Sequence, residues 1–407
     1  MDRDPVTDYP SGAADTTTAC PACGSNAVSI FYDLRGIPTN SCLLFWDRND
    51  AVNCDVGDLS LGFCETCGYI YNTLFVPAAT EYSEYYEETQ GFSPTFSAFH
   101  AKLAQELIDK YDLTGKTVLE VGCGKGEFLL LLSQLGAIHG TGIDPSAIPD
   151  RIKGVNGAER VMLIPEYFSE DLDSSHVDFI ACKMTLEHIS DPEIFLNKIR
   201  KSLGPDSEAI VFFQIPEAYR ILKTCAFEDI FYEHCAYFTP GSLTRLFTEC
   251  GYSVLEVSRT YGDQYLTIEC KPGEHQARKK SADHTDMAEL LSLVNTFKAR
   301  ADERQSYWES TITSAHEAGQ KIVIWGSGSK AVSFLTTLRT GQLIDCVVDI
   351  NPNKAGSFMP LTGQKIVAPE ALLERRPNLV IVMNRIYENE IKKDLEAMHV
   401  RAEVLCL

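Results

Sequence analysis

The sequence predicts an α/β protein built around a doubly wound parallel sheet, with a small cysteine-bearing domain before it and a second strand–turn–helix unit after it. Three observations carry that prediction. From Lys116 to about Tyr265, strand-like and helix-like stretches alternate, and such alternation builds a parallel sheet with helices on both faces. Within it, Val118-Leu119-Glu120-Val121-Gly122-Cys123-Gly124-Lys125-Gly126-Glu127-Phe128 is an apolar run that ends in an acid and breaks into three alternate glycines. It reads as a buried strand, a tight turn and a helix over 128–135, the turn leaving room for a nucleoside to approach the backbone. The pattern restarts at Lys321-Ile322-Val323-Ile324-Trp325-Gly326-Ser327-Gly328-Ser329-Lys330.

Length and charge bound the function. At 407 residues the chain exceeds what one core organises, so two or three domains are expected. Its 36 basic against 57 acidic side chains give a formal charge of −21, which repels phosphate backbones and anionic membranes, so neither nucleic acid nor a membrane is expected as partner. No apolar run approaches spanning length and 1–18 is acidic rather than signal-like, so the protein is read as cytoplasmic and 1–18 as a disordered leader.

Residues 19–80 form the first domain. Cys20-Pro21-Ala22-Cys23-Gly24 and Cys64-Glu65-Thr66-Cys67-Gly68 are two C-x-x-C-G knuckles, whose four thiolates suit a closed tetrahedral zinc that serves folding. Paired redox thiols are the alternative. The stretches 27–32 and 59–63 supply a small sheet, while Cys42 and Cys54 lack ligand spacing and read as ordinary thiols.

The second domain, 81–270, opens with Glu81-Tyr82-Ser83-Glu84-Tyr85-Tyr86-Glu87-Glu88, either a solvated connector or a lid over the glycine turn, and a helix over 96–111. A second strand, Gly140-Thr141-Gly142-Ile143-Asp144, ends in a carboxylate that can accept both hydroxyls of a ribose. The fourth strand runs into Lys183-Met184-Thr185-Leu186-Glu187-His188 and the fifth into Gln214-Ile215-Pro216-Glu217; in such sheets chemistry sits at these carboxyl ends. Residues 271–320 are a linker, with Leu290, Leu291, Val294, Phe297, Ala301, Trp308 and Ile312 at helical spacing. Residues 321–407 form the Rossmann-like C-terminal domain, whose glycine turn lacks the third glycine of a dinucleotide site.

The run Glu120-x-Gly122-x-Gly124-x-Gly126 resembles the cofactor loop of class I S-adenosylmethionine (SAM) methyltransferases. That resemblance implies that Glu120, Gly122, Gly124 and Gly126 shape the methionine side of a SAM pocket, that Asp144 and Pro145 line the ribose side, that Tyr167 and Phe168 cover the adenine, and that Lys183 borders the cofactor. Farther on, Phe231-Tyr232-Glu233-His234-Cys235-Ala236-Tyr237 follows the fifth strand. Two zinc knuckles, a SAM domain and this stretch, in that order, resemble the three-domain nucleotide-sugar C-methyltransferases, which methylate a carbon of a TDP-linked keto-deoxysugar. The likeness runs from Cys20 to the C-terminal end.

The resemblance implies that His234 is the base beside the sugar ketone, with Glu233 and Tyr237 as helpers, His188 as a second active-site histidine and Tyr85 or Tyr86 as the lid tyrosine. It also implies that the Asp349, Asn351, Pro352, Lys354 and Gly356 stretch closes over the nucleotide-sugar; simple packing is the other reading. The family stretch reads Tyr-His-Glu-His, whereas Phe231 and Tyr232 stand here for its tyrosine and first histidine. That departure keeps O- or N-methylation of another small metabolite open, and a non-catalytic SAM-binding module is the third reading. Histidine suits the base role because its pKa lies near neutrality. The sequence leaves the oligomeric state open.

Overall fold

The structure, a computed structural model, describes residues 19–273 and 286–407. The expected leader and most of the mixed-charge part of the linker lie outside the described residues.

Strands β1 (Val28–Pro38), β2 (Val56–Cys64) and β3 (Ile70–Asn72) form an antiparallel sheet on the knuckle side. The central sheet contains β4 (Thr117–Val121), β5 (His139–Ile143), β6 (Val161–Ile164), β7 (Phe179–Lys183) and β8 (Ile210–Pro216). The two-residue strand β9 (Ala236–Tyr237) leaves that unit and pairs with β3, Ile70 opposite Tyr237 and Tyr71 opposite Ala236. The first sheet is therefore completed by the segment that carries Glu233 and His234, so the 19–80 boundary does not enclose a self-contained sheet. Strands β10 (Tyr252–Thr260) and β11 (Tyr265–Pro272) close the central sheet as an antiparallel pair, giving the order β10-β11-β8-β7-β4-β5-β6.

Buried on both faces, β4 and β7 are apolar apart from Thr117, Glu120 and Lys183, as central parallel strands largely are. The chain runs from β4 outward through β5 and β6 and returns to the other side of β4 at β7. That reversal opens a crevice at the carboxyl ends of β4 and β7, the place where such sheets bind ligands. Helices Pro94–Tyr111 and Glu127–Gly136 agree with the expected spans within two residues. Helix Pro240–Glu249 starts at a capping box in which Thr239 accepts from Ser242 N at 3.2 Å and Ser242 Oγ accepts from Thr239 N at 2.9 Å.

The last unit is a five-stranded parallel sheet of β12 (Ile322–Trp325), β13 (Cys346–Val348), β14 (Ile366–Val367), β15 (Leu379–Val382) and β16 (Glu403–Cys406), in the order β14-β13-β12-β15-β16. The linker pattern becomes one helix, Met287–Glu317, which buries Leu290, Val294, Phe297, Ala301, Trp308 and Ile312. Leu291, named with that stripe, faces solvent instead, because it lies one position off the apolar face. Phe297 meets Tyr32 of β1 edge-on at 5.2 Å and Trp308 meets Phe334 at 5.5 Å, so the helix joins the first sheet to the last in one core. No helix among the described residues is long and apolar enough to cross a membrane.

Candidate active site

A cavity of about 1050 Å³ lies between the carboxyl ends of the central sheet, the segment 81–93 and the glycine turn after β12. At one end are Glu120, Gly122, Gly124, Asp144, Pro145, Tyr167, Phe168 and Lys183, and at the other Gly326, Gly328, Ser329 and Lys330. His188 and His234 line the same space.

At the central-sheet end, Glu120 is almost wholly buried and its Oε2 has no hydrogen-bond partner. Burial pushes its carboxyl up to about 7 against the pull of Lys183. The Lys183 ammonium lies 3.0 Å from His100 Nε2 and 3.9 Å from the centroid of the Phe128 ring, and burial lowers its pKa to about 8. His100 was absent from the sequence reading. Asp144 accepts from Gly124 N at 2.9 Å through Oδ2 and from Ser146 N at 2.7 Å through Oδ1, so it ties the glycine turn as well as lining the cavity.

The three glycines do different work. Gly122 has φ +72, and a Cβ there would stand 2.0 Å from Thr185 Oγ1, so the turn admits no side chain even without a ligand. Gly126 does not line the cavity: it starts the helix at φ +81, and a Cβ would meet Leu163 in the core. Its place in the SAM loop is thus a packing one, a correction to its reading as a cofactor residue.

His188 sits on the turn after β7, where Met184 adopts φ 52, an uncommon conformation for a residue of its size. Its Nδ1 lies 3.0 Å from the Glu233 carbonyl and 2.9 Å from the Tyr82 hydroxyl. A carbonyl only accepts, so Nδ1 carries the proton and Nε2 keeps its lone pair in the neutral ring. The rings of His188 and His234 meet edge-on with centroids 4.8 Å apart, and Phe231 covers His234 at 4.0 Å. Burial lowers His188 to about 4 and drives His234 well below the ordinary histidine range, with the neighbouring His188 adding to the shift. Both rings are therefore neutral at pH 7, each with a lone pair on one nitrogen, and the same burial makes them weaker bases than a solvated imidazole.

Glu233 does not touch the cavity. Its carboxylate accepts from Ser41 N at 2.9 Å, Tyr86 Oη at 3.0 Å, Asn40 Nδ2 at 3.2 Å and the Ser41 hydroxyl. In place of the helper role expected of it, its carboxylate clamps the loop after β1 to the segment 81–93. Tyr85 is 56% exposed and off the cavity, so of the two lid candidates only Tyr86 turns inward; Tyr82 is the tyrosine that reaches a histidine. Tyr237 lies behind His234 in β9, its hydroxyl 3.5 Å from the Phe231 carbonyl, and does not line the cavity. Tyr232 points away too, its hydroxyl accepting from Val76 N at 3.0 Å.

The segment 81–93 lies over the cavity, with Glu88 against Gly124, so of its two readings the lid describes it. Glu87 pins the lid to both neighbours, to Arg151 at 2.6 Å and to Asn351 Nδ2 at 2.9 Å. At the far end Asp349 accepts from Ser327 N at 2.9 Å and Asn351 N at 2.8 Å, the wiring of Asp144 repeated. Lys330 meets Asp229 at 2.5 Å across the two units. Sequence reasoning missed Tyr82, Glu88, His100 and Glu187; Glu187, both of whose oxygens lack partners, was visible only as the neighbour of His188.

Away from the cavity, Cys20 Sγ lies 3.7 Å from Cys67 Sγ and Cys23 Sγ 3.6 Å from Cys64 Sγ. Four sulfurs about 2.3 Å from one ion are about 3.75 Å apart, so the set fits a tetrahedral metal.

Comparison with known proteins matches residues 95–257 to the family described as "Methyltransferase domain" and 273–404 to "C-methyltransferase C-terminal domain". The chain is a SAM-dependent methyltransferase. The C-methyltransferase NovU of Streptomyces niveus is 25% identical over 308 residues, 71% of each chain. The ubiquinone biosynthesis O-methyltransferase of Pasteurella multocida is 32% identical over 115 residues, covering 25% of this methyltransferase and 46% of that protein. Among solved structures, a SAM-dependent methyltransferase from Aquifex aeolicus aligns at 18% identity over 44% of this methyltransferase and 94% of its own chain, with a TM-score of 0.35.

Proposed function

We propose that the methyltransferase moves the methyl of SAM to an enolisable carbon of a nucleotide-linked keto-deoxysugar, with His234 as general base. The observation that carries this reading is that the SAM-type turn, the two histidines and the second Rossmann-like turn all line one cavity, which offers a cofactor, a reacting carbon and a nucleotide tail a shared space. The relative named C-methyltransferase and the C-methyltransferase C-terminal domain support it.

A carbon beside a ketone releases its proton only to a positioned base while the developing oxyanion is stabilised. His234, neutral and buried, takes that proton; the C–H electron pair becomes the carbanion. The carbanion pair would form a C–C bond to the electrophilic methyl that SAM carries on its sulfonium, the C–S electron pair leaving on sulfur as S-adenosylhomocysteine. The Tyr82 hydroxyl, held at His188 on the cavity wall, is a phenol that can serve the oxyanion now that Phe231 replaces the family tyrosine. Glu120, Gly122, Asp144 and Lys183 hold the cofactor, and the four cysteines hold zinc as a structural ion.

Phe231 favours one other reading, methylation of an oxygen or nitrogen, because its ring against His234 offers no hydrogen-bond donor to a ketone. Incubation with labelled SAM and a pool of TDP-keto-sugars, followed by mass spectrometry, tests the acceptor: a new C–CH₃ supports the proposal and an O- or N-methyl product refutes it.

A further inference from the structure

We propose that Glu187, His188 and His234 form a second metal site, for a borderline divalent cation such as Zn²⁺ or Co²⁺, and that its occupancy excludes proton abstraction by His234. Each of the three side chains offers one ligand atom, and these atoms lie within 4.8 Å of one another.

The carboxyl of Glu187 is the first support. It is 1% exposed, and neither oxygen has a hydrogen-bond partner. A buried carboxyl without donors is costly to hold, and a cation between it and two imidazoles relieves that cost. The second support is the orientation of His188: an Nδ1–H fixed on a backbone carbonyl, here that of Glu233 at 3.0 Å, is the arrangement that holds metal-ligating histidines and leaves Nε2 free to bind.

Spacing and chemistry agree. A tetrahedral ion holds such ligands at about 2.0–2.2 Å, which sets them about 3.4 Å apart, so side-chain movements on the order of 1 Å close the set around it. Two imidazoles and one carboxylate select zinc, cobalt or nickel over magnesium or calcium. All three residues border the cavity, so an ion enters from the acceptor side and keeps an open position toward it. A bound ion takes the lone pair of His234. That consequence rests on the base role proposed above; binding itself does not.

The test titrates Co²⁺ into the full-length protein with its four-sulfur site already filled by zinc. The expected result is one further equivalent with weak visible bands and no thiolate-to-cobalt absorption, lost in both Glu187→Gln and His188→Asn. Methyl transfer by the wild type should fall at least roughly tenfold in step with occupancy and return when a mild chelator removes the ion. X-ray absorption at the cobalt edge of the wild type reads the ligands without any variant: nitrogen and oxygen support the site, and sulfur overturns it. Absence of the further equivalent, or its survival in both variants, overturns the site and leaves the base role standing. Binding with unchanged or increased transfer overturns the exclusivity, and with it the assignment of His234 as base.

Discussion

The Nδ1 of His188 lies 3.0 Å from the backbone carbonyl of Glu233, the residue just before His234. One contact thus fixes the tautomer of one histidine and the backbone position of the other, tying the turn after β7 to the segment that leads into β9. The arrangement depends on Glu233 staying in place, which its carboxylate ensures through donors from Asn40, Ser41 and Tyr86.

Glu233→Gln converts one acceptor oxygen into a donor that faces other donors. It is expected to cost about 2–4 kcal/mol, whereas Tyr86→Phe, which removes a single donor, costs about 1–2 kcal/mol. Urea unfolding midpoints check both values, and equal losses for the two variants would contradict the clamp.

The four-sulfur site predicts about one zinc per chain, measured by elemental analysis of undenatured protein. Cys64→Ser leaves three sulfurs around the ion and should unfold the first sheet, with the β3–β9 pairing lost along with it. Metal-free protein that remains folded would contradict this.

Asp144→Ala removes a carboxylate that lines the cavity and holds Gly124 N at 2.9 Å. SAM affinity should weaken by about 2–4 kcal/mol, measured by calorimetry. An unchanged affinity would remove Asp144 from the ribose.

Glu120 gives a pH prediction. Burial lifts its carboxyl from 4.5 to about 7 in the folded chain, so across that interval the folded state binds more protons than the unfolded one. Stability contributed by the neutral form is therefore full below about pH 4.5 and declines as pH rises toward 7, by at most about 3 kcal/mol. Glu120→Gln should flatten the pH dependence of the cofactor-free protein between those limits. An identical slope in the two proteins would contradict the shift.

The parts legible in the sequence are those written in local pattern. The Glu120 to Gly126 turn, the alternation through β8 and the stripe Leu290, Val294, Phe297 each announce an element whose period is fixed by which face is buried. Pairings between distant segments were not legible. Nothing local in Ala236-Tyr237 says that it completes a sheet begun at Val28, and the choice among Tyr82, Tyr85 and Tyr86 depends on which of them the lid turns toward the histidines. The sequence shows Glu187 only as the neighbour of His188, because an unpartnered carboxyl is defined by what fails to surround it.

His234→Asn should keep SAM affinity while lowering turnover by roughly 10²–10⁴-fold, since the amide fills the same space without a basic nitrogen. The proton-transfer step itself is isolated by hydrogen–deuterium exchange at the carbon beside the acceptor ketone, in D₂O with S-adenosylhomocysteine bound so that methylation cannot follow. The account predicts exchange in the wild type and its loss in His234→Asn. Methyl transfer by the wild type without any such exchange, giving a product methylated on oxygen or nitrogen, would contradict it.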